Sequence, residues 1–153
     1  MGAGLIIRSS SIHAAGCYTT QPIRKGQQVV EYDGPRFTKK EADERYADRD
    51  ITYLFSPGED GTVIDGFGVA MFINHSCNPN CESNSIDGRV FIQAIRDIAA
   101  GEELTYEYNL FDSDGDDADC HCGAEKCRGT MFSEDEVKRL ARKAKRAKAK
   151  LAR

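Results

Sequence analysis

Residues 72–81 read FINHSCNPNC and carry more chemical groups than an ordinary turn requires. An apolar run at 70–73 leads into an amide, an imidazole, a hydroxyl and two thiols, and Pro79 stops regular structure. Loops held on rigid elements commonly carry function, so this stretch is a candidate site. The alternative is a surface turn rich in Asn and Ser whose cysteines are incidental.

The chain has six cysteines, and three of them lie close together at Cys120, Cys122 and Cys127. Without a secretory signal, reduced thiols that bind a metal are a better prediction than disulfides. A structural zinc site needs four ligands in a tetrahedron, so one more thiolate must come from elsewhere. Both Cys77 and Cys81 could supply it, and an iron–sulfur cluster is the rival occupant.

The composition is typical of one globular domain. A chain of 153 residues that is 40% hydrophobic and 30% charged can bury a core of its own. No apolar run approaches the ~18 residues of a membrane span, and no signal peptide is apparent. A myristoylation motif is excluded because Ile6 stands where Ser or Thr is needed. We therefore expect a soluble intracellular protein with no membrane partner.

Charge is divided unevenly along the chain. Residues 133–153 carry nine Lys and Arg against three acidic residues, a net charge of +6. The rest of the chain carries 12 basic and 22 acidic residues, a net charge of −10. An acidic body attracts basic partners, and a basic tail is typical of nucleic-acid contact, here through residues 138–153. The alternative is a solvated charged surface.

Local patterns predict a mainly β protein with short helices inserted. Capping boxes beginning at Thr38 and Ser133 predict helices over about 39–48 and 134–151. Strands are expected near residues 5–7, 17–19, 29–32, 51–55, 63–64 and 89–95.

Two further segments have recognisable local patterns. The spacing Ile-x-x-Gly-x-x-aliphatic occurs from Ile23 and again from Ile98, which predicts two similar hairpin turns. The acidic segment 112–119 has Gly115 at the wrong position for a calcium loop and lacks the closing glutamate. We therefore expect it to be a linker.

Three separated motifs occur in the order of a known family. Residues 74–80 read NHSCNPN, residues 101–108 read GEELTYEY and residues 120–129 read CHCGAEKCRG. Together they resemble the SET-domain protein lysine methyltransferases that have a cysteine-rich post-SET segment. The resemblance runs from about residue 5 to residue 132, with no cysteine-rich pre-SET region ahead of it.

The resemblance implies an α+β fold of small curved sheets, the β-clip of SET domains. The segments around Asn74 and Tyr106 would form a pseudoknot in which the later strand passes under a preceding loop. The implied parts are a SET domain, an acidic linker, a post-SET zinc segment and a basic helix, at residues 1–111, 112–119, 120–132 and 133–153.

The resemblance also implies a zinc site whose ligands are Cys77, Cys120, Cys122 and Cys127. Cys81 would then be a buried free thiol. Because Cys77 belongs to the loop and the other three ligands to the tail, metal binding would fold the tail over the loop.

The implied cofactor is S-adenosylmethionine. The Gly-x-Gly loop of the family corresponds here to 13–16, with His13, Ala15 and Gly16 as cofactor residues and Ala14 in place of the first glycine. Alanine is tolerated there if its φ stays negative. The remaining cofactor residues of the family correspond to Tyr53, Asn74, His75, His121, Met131 and Phe132. The alternative is core packing for the aromatic residues and a solvent-facing position for His121.

The implied reaction is methylation of a lysine side chain. Tyr108 corresponds to the active-site tyrosine, whose hydroxyl orients the reacting groups. Tyr106 corresponds to the position that tunes how many methyl groups are added, and Tyr53 would wall the lysine channel. Neutralising a lysine of pKa near 10.4 at pH 7.4 costs ~4 kcal/mol, and an apolar channel beside a cationic sulfonium lowers that pKa.

Three classes of function remain open from the sequence. The leading one is a lysine methyltransferase for a basic protein or peptide, either histone-like or ribosomal. The second is a zinc-binding SET module with weak catalysis, and the third is a nucleic-acid-associated protein that acts mainly through its tail. The expected location is the cytoplasm or nucleoid of a microbe, or a nucleus if the substrates are histones.

Overall fold

The structure is a computed structural model that describes residues 4–48, 54–55, 61–66, 68–111 and 118–152. These residues form mainly short β-strands, with two α-helices and one 3₁₀ turn, which confirms the predicted class. In chain order the elements are β1 (Leu5–Ser9), β2 (Ala15–Thr19), β3 (Gln28–Tyr32), β4 (Arg36–Thr38), α1 (Lys39–Tyr46), β5 (Leu54–Phe55), β6 (Thr62–Asp65), the 3₁₀ turn (Val69–Phe72), β7 (Asn74–His75), β8 (Cys81–Ile86), β9 (Arg89–Ala94), β10 (Thr105–Tyr106) and α2 (Glu134–Leu151).

The described strands form four small sheets. Antiparallel pairing gives the β1–β2 hairpin and two three-stranded sheets, ordered β3-β9-β8 and β4-β6-β5. Among the described strands, β7 and β10 are the only parallel pair, with Thr105 opposite Asn74 and Tyr106 opposite His75. Parallel neighbours need a long crossover, which here spans residues 76–104. The two segments expected in the pseudoknot are therefore adjacent, while the threading under a loop stays a prediction.

The two Ile-x-x-Gly segments pack against each other in the core. Ile23 and Ile98 are both buried, and each backbone N–H donates to the carbonyl of the other at 2.9 and 2.8 Å. The turns that follow need the left-handed backbone of Gly26 and Gly101, whose φ angles are 88° and 91°. The repeated pattern therefore fixes a contact between distant parts of the chain.

The helices begin where the sequence predicts. Thr38 caps α1 with a complete capping box, and the helix ends at Tyr46, two residues before the predicted end. The Ser133 side chain accepts the N–H of Glu136, and α2 has the predicted bounds. Neither helix offers the length of apolar sequence that a bilayer crossing would need.

Strands β4 and β8 have no counterpart in the sequence analysis. The segment of β8, CESNSI, is too polar to suggest a strand, but every residue of it pairs with β9. A two-residue loop joins the two strands, and both Asp87 and Gly88 have positive φ, at 51° and 75°. This is the turn geometry that matches strand twist in hairpins, so the turn and the apolar partner strand create β8. Of the strand expected over 51–55, residues 51–53 lie outside the described residues.

Candidate functional site

The pairing of β7 with β10 places an aromatic cluster beside the Asn74-His75 segment. The ring centroids of Tyr106 and Tyr108 are 4.9 Å apart, and that of Phe55 is 6.4 Å from Tyr106. Burial raises the pKa of Tyr106 well above its ordinary value, so its hydroxyl is neutral. The Tyr108 hydroxyl donates to the carbonyl of Ile73 at 2.6 Å. This bond fixes the orientation of the Tyr108 hydroxyl.

His75 links this cluster to a cysteine. The backbone N–H of Tyr108 donates to His75 Nδ1 at 3.0 Å, and burial lowers the pKa of the imidazole. A neutral ring that accepts at Nδ1 carries its proton on Nε2. Since Nε2 lies 3.5 Å from Cys77 Sγ, the imidazole donates toward that sulfur. One side chain thus joins the segment that follows β10 to Cys77.

Asn74 is held by a carboxylate and a carbonyl. Its Nδ2 donates to Glu103 Oε1 at 2.8 Å and to the carbonyl of Ala15 at 2.9 Å. Ser10 Oγ and the Tyr18 hydroxyl also donate to the Glu103 carboxylate, at 2.8 and 3.2 Å. No described residue donates to Asn74 Oδ1, so this oxygen is open to a ligand's donor.

The loop that approaches Asn74 accepts alanine at one position and requires glycine at another. Among the described residues, the positive φ angles outside glycine are those of Asp87 and Asn109, so Ala14 does not need glycine. At Gly16, by contrast, a Cβ would collide with the Glu103 carboxylate unless that side chain moved. Replacing the family's first glycine by Ala14 therefore leaves the loop without backbone strain.

Four cysteines converge to form a candidate metal centre. The sulfur atoms of Cys77, Cys120, Cys122 and Cys127 all lie within 4.8 Å of one another. Tetrahedral Zn–S bonds of about 2.3 Å separate the sulfurs by about 3.8 Å, and the Cys77–Cys120 and Cys77–Cys127 sulfurs are 3.8 and 4.0 Å apart. The donor set fits a single Zn²⁺ ion, whereas an iron–sulfur cluster places several atoms between its cysteine ligands and needs wider spacing.

Backbone groups stabilise negative charge on these sulfurs. Burial pushes the pKa of Cys122 up, but N–H donors from Cys77 and Ala124 and the neighbouring thiols outweigh it and lower the pKa to about 6. The N–H of Arg128 donates to Cys77 Sγ at 3.4 Å. Cys81 lies outside this cluster, fully buried, and burial raises the pKa of its thiol to about 12. Cys77 is therefore the better fourth ligand.

Residues 118–132 are fixed to the chain segment that follows Tyr108. Leu110 donates its N–H to the carbonyl of Met131 at 3.1 Å and forms a parallel bridge with Phe132. The guanidinium of Arg128 forms a bidentate ion pair with Glu107 and also donates to the Phe132 carbonyl at 3.2 Å. The cysteine-bearing tail is therefore anchored beside the aromatic cluster.

The predicted site residues divide into three groups. The loop residues Ala15 and Gly16 lie at the Asn74 side chain, and Met131 and Phe132 are half-buried beside Leu110. The imidazoles of His13 and His121 are exposed and form no hydrogen bond or ring contact with a described residue. Tyr53 lies outside the described residues, so its place in the lysine channel stays a prediction.

Sequence reasoning missed two residues that organise the site. Glu103 gathers Ser10, Tyr18 and Asn74, and Asn80 holds β10 by donating to the Glu103 carbonyl and accepting the Thr105 N–H. Both stand within motifs already recognised, NHSCNPN and GEELTYEY. A polar residue inside a recognised motif that has no catalytic or metal role of its own is the signal that could have identified them.

Comparison with known proteins identifies the family to which this chain belongs. The SET domain family matches residues 14–109. An H3 lysine-4 specific histone-lysine N-methyltransferase of Eremothecium gossypii is 42% identical over 137 residues, which cover 80% of this chain and 14% of that protein. The protein of the same name from Saccharomyces cerevisiae is also 42% identical over 137 residues, covering 80% of this chain and 12% of that protein.

A third relative is the histone-lysine N-methyltransferase trithorax of Drosophila virilis. It is 40% identical over 129 residues, which cover 78% of this chain and 3% of that protein. The chain therefore spans a small part of each of these relatives. Because the family match alone covers more than half of the chain, this protein belongs to the SET-domain family.

Proposed function

We propose that the chain is an S-adenosylmethionine-dependent protein-lysine N-methyltransferase whose substrate is a histone or a similarly basic protein. The observation that carries the proposal is the parallel β7–β10 pair, which sets Tyr106 and Tyr108 beside Asn74 and His75. The three relatives named above are histone-lysine methyltransferases, which supports this substrate class. A histone substrate would place the chain in a nucleus.

The proposed cofactor site surrounds Asn74. The open Oδ1 of Asn74 would accept from the cofactor's ammonium group, while Glu103 and the Ala15 carbonyl hold the amide in that orientation. Gly16 lets the backbone approach without a side chain in the way. We propose His13, His75, His121, Met131 and Phe132 as further contacts. When bound, S-adenosylmethionine supplies an electrophilic methyl group on a sulfonium sulfur.

The residues around Tyr108 would prepare the lysine. The Tyr108 hydroxyl, which its bond to the Ile73 carbonyl orients, would contact the lysine amine and direct the nitrogen lone pair. The rings of Tyr106 and Phe55 offer an apolar wall, which favours the neutral amine by desolvation. Tyr106 would limit the number of methyl groups through the space it leaves.

We propose that zinc at the four-cysteine centre closes the site. It would hold the post-SET segment 120–132 against the loop that contains Cys77, with the SET domain at 1–111, the linker at 112–119 and the helix at 133–153 as the other parts. Metal binding would then assemble cofactor site and tail together.

One experiment tests the proposal directly. Zinc-loaded protein would be incubated with cofactor labelled in its methyl group and with core histones, ribosomal proteins and a bacterial nucleoid fraction as separate substrates. The expected result is label on lysine of a basic protein, at a rate that falls about 10²-fold when Tyr108→Phe replaces the native chain. Protein that binds the cofactor but labels none of these substrates would contradict the proposal.

A further inference from the structure

The helix α2 carries a dense and one-sided positive charge. No acidic residue follows Glu136 in the chain, and the lysines and arginines from 138 to 150 span ~18 Å of helix. Seven of them have no hydrogen bond or ion pair with a described residue, whereas Arg139 pairs with Glu136. At 3.6 residues per turn, six of the seven lie within an arc of about 160°, and the seventh, Lys148, lies beside it. The seven are Lys138, Arg142, Lys143, Lys145, Arg146, Lys148 and Lys150.

The helix projects from the body with these charges in solvent. Residues 141–152 are all exposed, and the helix is attached through its first turn, where Glu136 is buried and Ser133 forms the cap. Like charges stand three or four residues apart, as in Lys138 and Arg142 or Arg142 and Arg146, and such pairs repel within a helix. A bound polyanion would relieve this repulsion.

We propose that α2 binds the phosphate backbone of double-stranded DNA. A helix with its side chains is about 10–12 Å across, which matches the ~12 Å width of the DNA major groove. Duplex DNA carries one negative charge per ~1.7 Å of its axis, so an ~18 Å row of cations meets phosphates along its whole length. The proposal does not depend on methyl transfer, and failure of either leaves the other intact.

Other binding partners match α2 less well. Double-stranded RNA has a major groove too deep and narrow for a helix, and the exposed part of α2 has no aromatic residue to stack on single-stranded bases. The apolar stripe consists of two leucines, one valine and two alanines, without the aromatic residues that anchor helices in a membrane interface. Two of the five stripe positions are alanine, so a second copy of α2 would find little apolar surface to pack on. The stripe residues are Val137, Leu140, Ala144, Ala147 and Leu151.

The test measures binding of the whole chain to a fluorescent 20-base-pair duplex of mixed sequence between 50 and 200 mM salt. One variant changes four α2 residues to glutamine, and a matched control removes the same charge from exposed body residues. The α2 variant is Arg142→Gln, Lys143→Gln, Lys145→Gln and Arg146→Gln; the control is Arg8→Gln, Arg24→Gln, Lys25→Gln and Lys40→Gln.

The native chain should bind the duplex with an affinity that falls steeply with salt. Each lost phosphate contact makes the slope of log affinity against log salt shallower by about 0.9. With four cations removed, the slope of the α2 variant should be shallower by about 3.6 than that of the native chain. The variant's affinity should fall at least tenfold while the control stays within twofold, and circular dichroism should show more helix in the native chain on DNA addition.

Three results would overturn the proposal. One is equal loss of affinity in the α2 variant and the body control. Another is binding to duplex RNA, to single-stranded DNA or to phosphatidylserine vesicles that is tighter than binding to the DNA duplex. The third is no detectable duplex binding by the native chain at 50 mM salt.

Discussion

At the scale of single residues, the site depends on side chains that hydrogen bonds hold in one orientation. Tyr108 donates its hydroxyl proton to the Ile73 carbonyl, and Asn74 uses its amide protons on Glu103 and Ala15 and presents Oδ1 to a ligand. Each residue is oriented before any ligand arrives. Preorganisation of this kind lowers the entropy cost of aligning the reacting groups.

The first prediction concerns the Tyr108 hydroxyl. We expect Tyr108→Phe to lower kcat by about 10²-fold with cofactor affinity nearly unchanged, because the lost oxygen orients the amine and not the cofactor. Tyr46→Phe is the matched control, since its hydroxyl bonds Asp65 away from the site. Single-turnover rates and equilibrium cofactor titration measure the two quantities. A tenfold loss of cofactor affinity in Tyr108→Phe would contradict this assignment.

The second prediction concerns Glu103. Glutamine at this position replaces one acceptor oxygen by an amide that faces the donors of Ser10, Tyr18 and Asn74. An unsatisfied buried donor costs about 1–3 kcal/mol, so cofactor affinity should fall about tenfold or more. Calorimetric titration with the cofactor measures the affinity of Glu103→Gln and of the control Glu102→Gln. Glu102 is a suitable control because its carboxylate bonds Arg96 and not Asn74. Equal cofactor affinities in the two variants would show that Glu103 has no role in cofactor binding.

At the scale of elements, two polar clamps hold β10 against β7. The Asn80 amide bonds the backbone on both sides of Leu104, and His75 accepts the N–H of Tyr108. A two-residue strand pair gains little from its own ladder, so side chains supply the missing hydrogen bonds. The tail adds a third attachment through the Arg128–Glu107 ion pair and the Leu110–Phe132 bridge.

The third prediction is that zinc holds this tail in place. Elemental analysis should find one zinc per chain, and chelation should expose four reactive thiols and weaken cofactor binding. Cys17 and Cys81 should stay unreactive until the chain unfolds, since burial raises the pKa of their thiols to about 11 and about 12. Thiol counting with and without chelator checks this. Full activity in Cys122→Ser would contradict it.

The fourth prediction separates the two parts of the C-terminal segment. Truncation after Leu140 should change Tm by no more than about 2 °C, because residues 141–152 are exposed. Truncation after Gly129 should lower Tm by much more, since it removes the backbone hydrogen bonds of Met131 and Ser133 to Leu110. Differential scanning calorimetry measures both. A large fall in Tm after truncation at Leu140 would mean that the exposed part of the helix packs on the body in solution.

At the scale of the whole molecule, charge separates the body from α2. A body of net charge −10 attracts basic substrates, whereas the seven cations of α2 without a partner among the described residues attract polyanions. A protein substrate and a nucleic acid would therefore be drawn to different ends of the chain. This division would suit an enzyme whose basic substrate is itself bound to DNA.

The fifth prediction tests the acidic body. Raising salt from 50 to 500 mM should increase KM for a highly basic protein substrate about tenfold, because exposed charges are screened over ~8 Å at physiological ionic strength and less at higher salt. KM for S-adenosylmethionine, which is small, should change far less. Steady-state kinetics at four salt concentrations checks both. A change of less than twofold for the basic substrate would show that steering by the body is unimportant.

Local sequence predicted those features whose causes are local. Capping boxes at Thr38 and Ser133 gave both helix starts, because a cap depends on residues three positions apart. The mainly β class followed from short β-branched runs, and the cysteine spacing indicated three of the four candidate ligands. Strand β8 was missed because its polar sequence becomes a strand only when β9 pairs with it.

The sequence by itself determined the family, the helices and the set of thiols from which a metal site could be built. Only the tertiary structure decided between Cys77 and Cys81, because one sulfur faces the Cys120 cluster and the other enters the core with β8. It also decided that Glu103 holds Asn74, 29 residues away in the chain. Spacing and capping act over a few residues, whereas contacts between distant side chains exist only once the crossover from β7 to β10 is folded.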